Sequence, residues 1–402
     1  MTKLTKSEIF VSLAFFLLTL GQLVNFKLYG LASTSFYLFD VYLLACGLVS
    51  ILYLVSNYQH VIISRVTFLF LFFTLIASFS LVSNNVVNTY ADLAFQAFYL
   101  IRWVSYFTTA VVIGHLIRVR LLSVRYIYKL SILSAVFLVL TGFLQLYLLP
   151  DFTVLDPIFG WDPHKGRLAS TFFDPNFVAA YIVVALTICL GLFYYQNYTV
   201  FNKKTLGGMF VLLCIGLLLT FSRSGWGMFV IVMSIFGVLK YRLLLVYSAV
   251  LALLAYVAVP RVQTRLAGIT DPSDSAHYRL ISWTNALEVY KSSPVIGVGF
   301  NAYREVQKDL SYIVPGSDGG NAGAGTDSSI LFVLATTGLI GIGLFGLGYL
   351  SAIARHSSKW RTGGLIPAVV LLSLLFESNF INSLFYPQLL FLWLILAHLE
   401  TS

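Results

Sequence analysis

The chain has 402 residues, of which 59% are hydrophobic and only 10% are charged, and its formal net charge at pH 7 is +9. Soluble domains are about 45–50% apolar and about a quarter charged, so this composition excludes an ordinary soluble protein and predicts an integral membrane protein. The positive charge does not require a nucleic-acid partner, because membrane proteins concentrate Lys and Arg in their cytoplasmic loops. We therefore expect no binding of nucleic acid.

Apolar runs long enough to cross a bilayer recur along the whole chain. A helix needs about 20 apolar residues to cross a hydrocarbon core of about 30 Å, and these runs lack the alternation of a transmembrane barrel. We therefore predict an all-α protein, a polytopic bundle of about twelve membrane-spanning helices that forms a single transmembrane domain over residues 1–402. The predicted spans are 7–28, 31–56, 61–82, 91–117, 124–149, 172–195, 205–221, 224–240, 242–260, 327–353, 362–382 and 384–398.

The first apolar run has no small-residue cleavage site behind it, and further spans follow directly. We interpret it as a retained first helix rather than a signal peptide. The three cysteines, Cys46, Cys189 and Cys214, lie inside apolar runs without metal-ligand spacing. We therefore expect neither a structural metal nor a cofactor.

Lys and Arg are unevenly divided between the two sets of alternate connections. One set, together with the N-terminus, carries most of them in short loops, for example Lys203 and Arg355. Short loops rich in Lys and Arg stay in the cytoplasm, so we place that side and both termini there. The short loops of the opposite, external side carry Lys27, Lys165, Arg167 and Arg223.

One long segment, 261–326, lies between the ninth and tenth predicted spans, and we predict that it forms a large external loop. Within it, residues 278–290 have apolar side chains at 280, 281, 283, 287 and 290, which is close to a helical period. This pattern predicts an amphipathic helix that lies on the bundle. A turn at 294–301 and a glycine-rich stretch at 315–325 follow it.

Arg223 stands between two apolar runs, in the short turn Thr220-Phe-Ser-Arg-Ser-Gly-Trp-Gly227. A cation at that depth is costly unless it is paired, and such charges are usually functional. One interpretation is an arginine that snorkels to lipid headgroups. The other is an anion site, because Arg167, Arg265 and Arg279 are expected on the same face. Several guanidinium groups together suit a diphosphate, whose oxygens they bind in pairs.

Three acidic residues near the outer ends of predicted spans are further candidates. Asp327, at the head of the tenth span, is the external carboxylate nearest the mouth of a span; its structural interpretation is a cap for that helix, and a functional role can coexist with capping. Asp174 precedes Pro175 and Asn176 and is expected to cap the sixth span. Glu377, near the end of the eleventh span, is a spare candidate.

Two further pairs of polar residues have a structural interpretation that we prefer. Asp40 and Arg102, in the second and fourth spans, are expected to form a buried ion pair, although Arg102 is also able to reach a diphosphate. His164 and His277 are expected on the external side, where a lone loop histidine is more often solvated than catalytic.

Four motifs resemble those of the O-antigen ligase and O-antigen polymerase superfamily. They occur in the family's order and cover about half the chain. They are Arg167-x-x-Ser-Thr-Phe-x-x-Pro-Asn176, Leu219-Thr-Phe-Ser-Arg-Ser-Gly-Trp226, Arg279-x-x-x-Trp283 running into Pro294-Val-Ile-Gly-Val-Gly-Phe300, and Leu331-x-x-x-Ala335-Thr-Thr-Gly-Leu-Ile-Gly341.

The resemblance implies a bacterial inner-membrane glycosyltransferase that moves a glycan from undecaprenyl diphosphate to an acceptor sugar hydroxyl on the outer face. It implies no metal and no nucleotide sugar. The family's ligases have a His-Asn pair at the start of the tenth span, where Asp327-Ser328 stands here. We expect Asp327 to be the base, and Arg167, Arg223 and Arg279 to hold the diphosphate, with Arg265 as a fourth member and Asn176 as a further substrate-binding residue.

Two alternatives stay open. Polymerase and ligase differ only in the acceptor, and the missing histidine slightly favours a polymerase. A secondary transporter or lipid-linked oligosaccharide flippase is the main alternative of another class, since many have twelve spans. Transporters tend to have two related halves with broken helices at the midplane, whereas this chain is asymmetric.

Overall fold

The structure is a computed structural model that describes residues 4–27, 35–83, 90–155, 164–195, 200–268, 275–313 and 325–400. These parts of the chain are almost entirely helical, as predicted. The elements are, in chain order, α1 Lys6–Leu20, β1 Asn25–Lys27, β2 Ser35–Tyr37, α2 Leu38–Ser56, α3 Arg65–Ser83, α4 Tyr90–Arg118, α5 Val124–Leu148, α6 Pro175–Tyr194, α7 Lys203–Thr220, α8 Arg223–Leu239, α9 Arg242–Ala258, α10 Pro260–Ala267, α11 Ser275–Ser292, α12 Tyr303–Asp309, α13 Ser329–Ser357, α14 Leu365–Glu377 and α15 Pro387–His398.

Eight helices in the described ranges are long and apolar enough to cross a membrane, so the chain is a multi-pass membrane protein. They are α1 to α7 and α13. A ninth span results if α9 and α10, which meet at a bend of 98°, are counted as one, and α8, α14 and α15 are shorter apolar helices. An apolar helix lies in each of the twelve predicted spans, but the number that cross the membrane stays a prediction.

The first two predicted spans differ most from the observed helices. The first was expected to reach residue 28, but α1 ends at Leu20, and β1 then pairs antiparallel with β2. Gly21 ends the helix with a φ of 50°, and a Cβ there would lie 2.4 Å from the backbone oxygen of Thr171. The close approach of the 170–172 segment therefore stops α1. The predicted start of the second span, at 31, lies outside the described residues.

Helix α6 forms the centre of the bundle, and α9 lies at its edge. The α6 side chains are buried on all sides, and the helix packs against α5, α7, α8 and α14. A helix that is apolar all round belongs in such a position. None of the α9 side chains is buried, and that helix packs against α8 and α10.

A kink in α13 receives part of the predicted external loop. The helix is broken at Gly338, whose φ is 64°, and the 294–299 segment enters the break. The Leu339 amide donates to the Pro294 carbonyl at 2.9 Å, and the Val298 amide donates to the Ala335 carbonyl at 3.0 Å. A Cβ on Gly338 would lie 2.3 Å from the Val295 oxygen. The third and fourth sequence motifs are thus two sides of one contact, which holds α11 and α12 near the head of α13.

Helix α11 covers the stretch predicted to be amphipathic, but only part of the expected apolar face lies against the protein. Leu280, Ile281 and Leu287 are exposed, whereas Ala286 and Val289 are buried against the protein. The apolar periodicity did not identify the buried face of α11, because polar contacts with the segment before α13 determine which side of the helix faces the protein. These contacts join Ser282 and Trp283 to residues 326 and 327.

Candidate active site

The turn between α7 and α8 is the first element of the site. Thr220 ends α7 and Arg223 begins α8, so that only Phe221 and Ser222 lie between the helices. Ser222 caps α8 by accepting a hydrogen bond from the Gly225 amide at 3.3 Å. The turn is as short as the sequence indicates, and Arg223 is consequently half-buried at the end of two apolar helices.

Arg167 is buried against this turn, with 8% of its surface exposed. Its Nε donates to the Thr220 carbonyl at 2.8 Å, and its Nη2 donates to the Asn176 Oδ1 at 3.2 Å. The same Asn176 oxygen accepts a hydrogen bond from the Ser222 hydroxyl at 2.9 Å. Asn176 is therefore a link that positions Arg167 and the turn.

Several other cations lie close enough to act on Arg167. Burial lowers the pKa of the Arg167 guanidinium, and the charges of Arg265, Arg261 and Arg279 lower it further, while Asp174 opposes them. The Nη1 of Arg223 also donates to the backbone oxygen of Arg265 at 3.2 Å. We call Arg167, Arg223, Arg261 and Arg265 the arginine cluster.

Arg261 belongs to this cluster although it was not among the candidates from the sequence. Its Nη1 donates to the Gly166 carbonyl at 2.6 Å, its Nη2 donates to the Lys165 carbonyl, and its guanidinium lies 4.5 Å from the centre of the Phe221 ring. It therefore ties α10 to the loop that precedes Arg167. The sequence signal was the spacing of four residues from Arg265, which places both side chains on one helix face.

Asp327 lies just before α13, and it does not cap that helix. The cap is Ser328, whose hydroxyl accepts a hydrogen bond from the Leu331 amide at 3.2 Å. The hydrogen bonds that the structure describes at Asp327 use its backbone: its amide donates to the Ser282 hydroxyl at 3.0 Å, and its carbonyl accepts from the Trp283 Nε1 at 3.1 Å. The capping interpretation of Asp327 is thus wrong, because the neighbouring serine has that role.

Partial burial raises the pKa of the Asp327 carboxyl. The positive charge of Arg279, on α11, opposes this rise, and the negative charge of Asp174 adds to it. Burial and a neighbouring cation are two of the influences that adjust the pKa of carboxyl groups in enzyme active sites.

Asp327 also lies on the wall of a cavity of about 290 Å³. The described residues that line it do not include Arg167, Arg223, Arg265 or Arg279. Its polar lining residues are Gln22, Tyr37, Tyr99, Arg102, His164, Asp174, Asn301, Arg304, Thr326, Asp327, Asn382 and Tyr386, and most of the remaining wall is aromatic. Asp327 thus lines the cavity and is also acted on by the charge of Arg279.

Asp40 and Arg102 form the buried ion pair that the sequence predicted. Arg102 Nη2 lies 2.6 Å from Asp40 Oδ2, and the Tyr106 hydroxyl donates to Asp40 Oδ1 at 2.5 Å. The guanidinium also lies 4.9 Å and 4.8 Å from the ring centres of Phe98 and Tyr99. Arg102 therefore faces the cavity with its charge already compensated.

The remaining candidates have mixed outcomes. Asp174 caps α6 as expected, since its Oδ1 accepts a hydrogen bond from the Asn176 amide at 2.6 Å. His277 is exposed, in agreement with the expectation of a solvated histidine. His164 contradicts that expectation, because it lines the cavity, and burial lowers its pKa, an effect that Asp174 opposes. Glu377 is fully buried at the end of α14.

Arg304 is a second cavity residue that the sequence analysis missed. It lies on α12 with 6% of its surface exposed, on the cavity wall. In the sequence, Arg304 follows the aromatic residues Phe300 and Tyr303 and precedes a polar helix end. Nothing in this pattern distinguishes it from an ordinary surface residue. Only the docking of the 294–299 segment into α13 brings Arg304 to the cavity.

These features define a multi-pass helical membrane protein with an arginine cluster and a partly buried carboxylate on a cavity wall. Residues 208–346, about a third of the chain, match the protein family described as O-antigen ligase, which confirms the resemblance to the O-antigen ligase and polymerase superfamily. The matched stretch contains the α7–α8 turn, Arg279 and Asp327, whereas Arg167 precedes it. No curated protein matches the chain.

The family has general consequences for this chain. It consists of glycosyl-transferring enzymes, which use a lipid-linked glycan as donor and a glycan as acceptor. Together with the apolar helices, the match indicates a multi-pass protein of the bacterial inner membrane.

Proposed function

We propose that the protein transfers a glycan from undecaprenyl diphosphate to the hydroxyl group of an acceptor sugar, at the outer face of the membrane. The observation that carries the proposal is the position of Asp327. Its carboxyl group has a raised pKa, the charge of Arg279 acts on it, and the arginine cluster lies nearby.

The arginines stabilise the departing diphosphate. As the bond between the anomeric carbon and the diphosphate breaks, its electron pair moves to the diphosphate oxygen, and preorganised cations stabilise that charge. Arg223 and Arg279 are half-buried and serve as direct ligands. The buried Arg167 holds the turn in place and adds positive potential. These guanidinium groups supply the charge, so the proposed reaction uses no metal or other cofactor.

Asp327 accepts the proton of the attacking hydroxyl. The acceptor oxygen forms the new bond to the anomeric carbon, its proton passes to the Asp327 carboxylate, and the diphosphate leaves from the opposite side of the sugar ring. A carboxylate with a raised pKa is a stronger base than an ordinary aspartate, yet it is ionised at neutral pH if the rise is moderate.

The proposed orientation follows from the charges of the loops. Short loops rich in Lys and Arg place both termini in the cytoplasm, and the α7–α8 turn with Asp327 then faces outward. A lipid diphosphate has its charge at that depth and its tail in the bilayer. The aspartate at the place of the family's histidine favours a polymerase, whose acceptor is a second lipid-linked glycan.

The test is transfer by the purified protein in detergent. Lipid-linked glycan extracted from the cells that make the protein is the substrate, and mass spectrometry detects new glycosidic bonds. We expect longer or transferred glycan from the wild type, and loss of donor binding in Arg223→Ala. Movement of the glycan across liposomes without a new glycosidic bond would instead support the transporter or flippase alternative.

A further inference from the structure

The wall of the cavity combines aromatic rings with a few polar groups. Phe177 and Tyr386 lie stacked with their ring centres 3.9 Å apart, and Tyr99, Phe173 and Phe385 form other parts of the wall. Small-molecule sites typically have such apolar walls with a small number of placed polar groups. A sugar ring matches them, since it offers C–H faces for packing and hydroxyl groups at its edge.

Two polar atoms of the wall are buried and have no hydrogen-bond partner among the described residues. They are Asn382 Oδ1 and His164 Nε2. An unsatisfied buried polar atom costs about 1–3 kcal/mol, so such atoms usually mark a place where a ligand or water completes the bonding.

The charges on the wall compensate one another. Asp40 neutralises Arg102 at 2.6 Å, and Arg304 is accompanied on the wall by the carboxylates of Asp174 and Asp327. The cavity thus lacks the excess of positive charge that a diphosphate requires, whereas the arginine cluster has it. An uncharged, hydroxyl-rich ligand suits the cavity better.

The stereochemistry of the proposed reaction assigns the cavity to one of the two substrates. In a displacement that inverts the anomeric carbon, the attacking hydroxyl approaches from the face opposite the leaving group. The leaving diphosphate belongs with the arginine cluster. The cavity is built from other residues and approaches the cluster at Asp174, which lines the cavity and acts on the charge of Arg167. The sugar that provides the hydroxyl therefore enters on the cavity side.

We infer that the cavity beside Asp327 binds the terminal, uncharged sugar ring of the acceptor, with Asn382 and His164 as hydrogen-bonding residues. This inference rests on the proposed function. The volume of about 290 Å³ is at the small end of ligand pockets, so the cavity holds a terminal sugar rather than a whole glycan repeat.

Two probes separate the two sites. The first is the free oligosaccharide repeat, released from the extracted lipid-linked glycan by mild acid and dephosphorylated. It lacks a diphosphate and therefore reports on sugar binding without the arginine cluster. The second is undecaprenyl diphosphate without sugar, which reports on diphosphate binding without a sugar in the cavity. Their dissociation constants are measured on the full-length protein in detergent.

We expect opposite effects from two variants. Asn382→Ala should weaken binding of the oligosaccharide by about fivefold to tenfold, the effect of one lost hydrogen bond, and leave binding of undecaprenyl diphosphate unchanged. Arg279→Ala should weaken binding of undecaprenyl diphosphate and leave binding of the oligosaccharide unchanged. Asn379→Ala is the matched control, because Asn379 is on the same segment but its side chain donates to the carbonyl of Leu375 in the preceding helix, α14.

The results that overturn the inference differ from those that overturn the proposed function. If Asn382→Ala weakens the binding of undecaprenyl diphosphate instead of the binding of the oligosaccharide, or changes neither, the cavity is not the acceptor site. If Arg279→Ala leaves diphosphate binding intact, the donor assignment fails. Should Asn382→Ala elute as an aggregate, His164→Ala on the same cavity makes the same test.

Discussion

The arginine cluster and the cavity differ in where their polar groups find partners. In the cluster, the guanidinium groups of Arg167, Arg223 and Arg261 donate to backbone carbonyls of neighbouring segments. In the cavity, Asn382 Oδ1 and His164 Nε2 are buried without a partner among the described residues. The first region is fixed before any ligand arrives, and the second keeps hydrogen-bonding capacity for one.

This difference suits the two tasks of a glycosyl transfer. Charge that develops on a leaving group is stabilised best by cations that need no reorganisation during the reaction. An acceptor hydroxyl, in contrast, is recognised by groups that the ligand itself must satisfy. Asp327 lies on the cavity wall. Substitutions that affect one region only are the most informative.

The largest effect is expected from Asp327→Asn. The amide cannot accept the proton of the acceptor, so kcat should fall by about 10²–10⁴-fold, while the affinity for undecaprenyl diphosphate stays the same. Asp309→Asn, at the exposed end of α12, is the matched control. Transfer at the wild-type rate by Asp327→Asn would remove this residue as the base.

Arg279→Ala should have the next largest effect. Loss of one charged donor at a leaving group lowers kcat/KM by about 10²–10³-fold.

In the wild type the rate should fall as the pH drops through the raised pKa of Asp327, since the base must be ionised. Because Arg279 opposes that rise, its removal should shift the acid limb of the rate profile to higher pH. Arg279→Lys keeps the charge and should leave the limb in place; an unshifted limb in Arg279→Ala would contradict the coupling.

Gly338→Ala should lower stability and weaken both regions together. A Cβ at this position would lie 2.3 Å from the Val295 oxygen, at a φ of 64°, and strain of this kind costs about 1–3 kcal/mol. Thermal unfolding in detergent measures the effect. Gly343→Ala in the same helix is the control, because its Cβ meets nothing within 4 Å. Equal melting temperatures for the two variants would show that the contact between 294–299 and α13 is dispensable.

The smallest effect is expected from Arg261→Ala. This side chain ties α10 to the 165–166 backbone, and the loss of hydrogen bonds made by a charged group should weaken binding of undecaprenyl diphosphate by roughly tenfold. The free oligosaccharide should bind as before. Arg361→Ala, another arginine that lies over an aromatic ring, at 5.2 Å from the centre of Trp360, is the control. Weaker binding of the oligosaccharide would mean that the two regions are coupled.

Much of the fold was predictable because membrane-spanning helices have a strong local signal. Each apolar run contains a helix, the Arg223 turn is as short as its sequence indicates, and the Asp40–Arg102 pair forms as expected. The exposed and buried faces of α11 were not predictable in the same way. Its buried face is fixed by two hydrogen bonds to the residue before α13: Trp283 donates to the Asp327 carbonyl, and Ser282 accepts from the Asp327 amide. Such contacts do not appear as a period in the sequence.

Composition and periodicity established the membrane-embedded helical class, because each span buries its own backbone hydrogen bonds and must be apolar over its whole length. The motifs identified the arginines and Asp327. The tertiary structure decided that Ser328 rather than Asp327 caps α13, that Arg261 joins the cluster, and that Arg304 and His164 reach the cavity. Contacts between segments far apart in the chain determine these points. The energy of a hydrogen bond depends on the distance between its two groups in space, and such contacts produce no repeating pattern in the sequence.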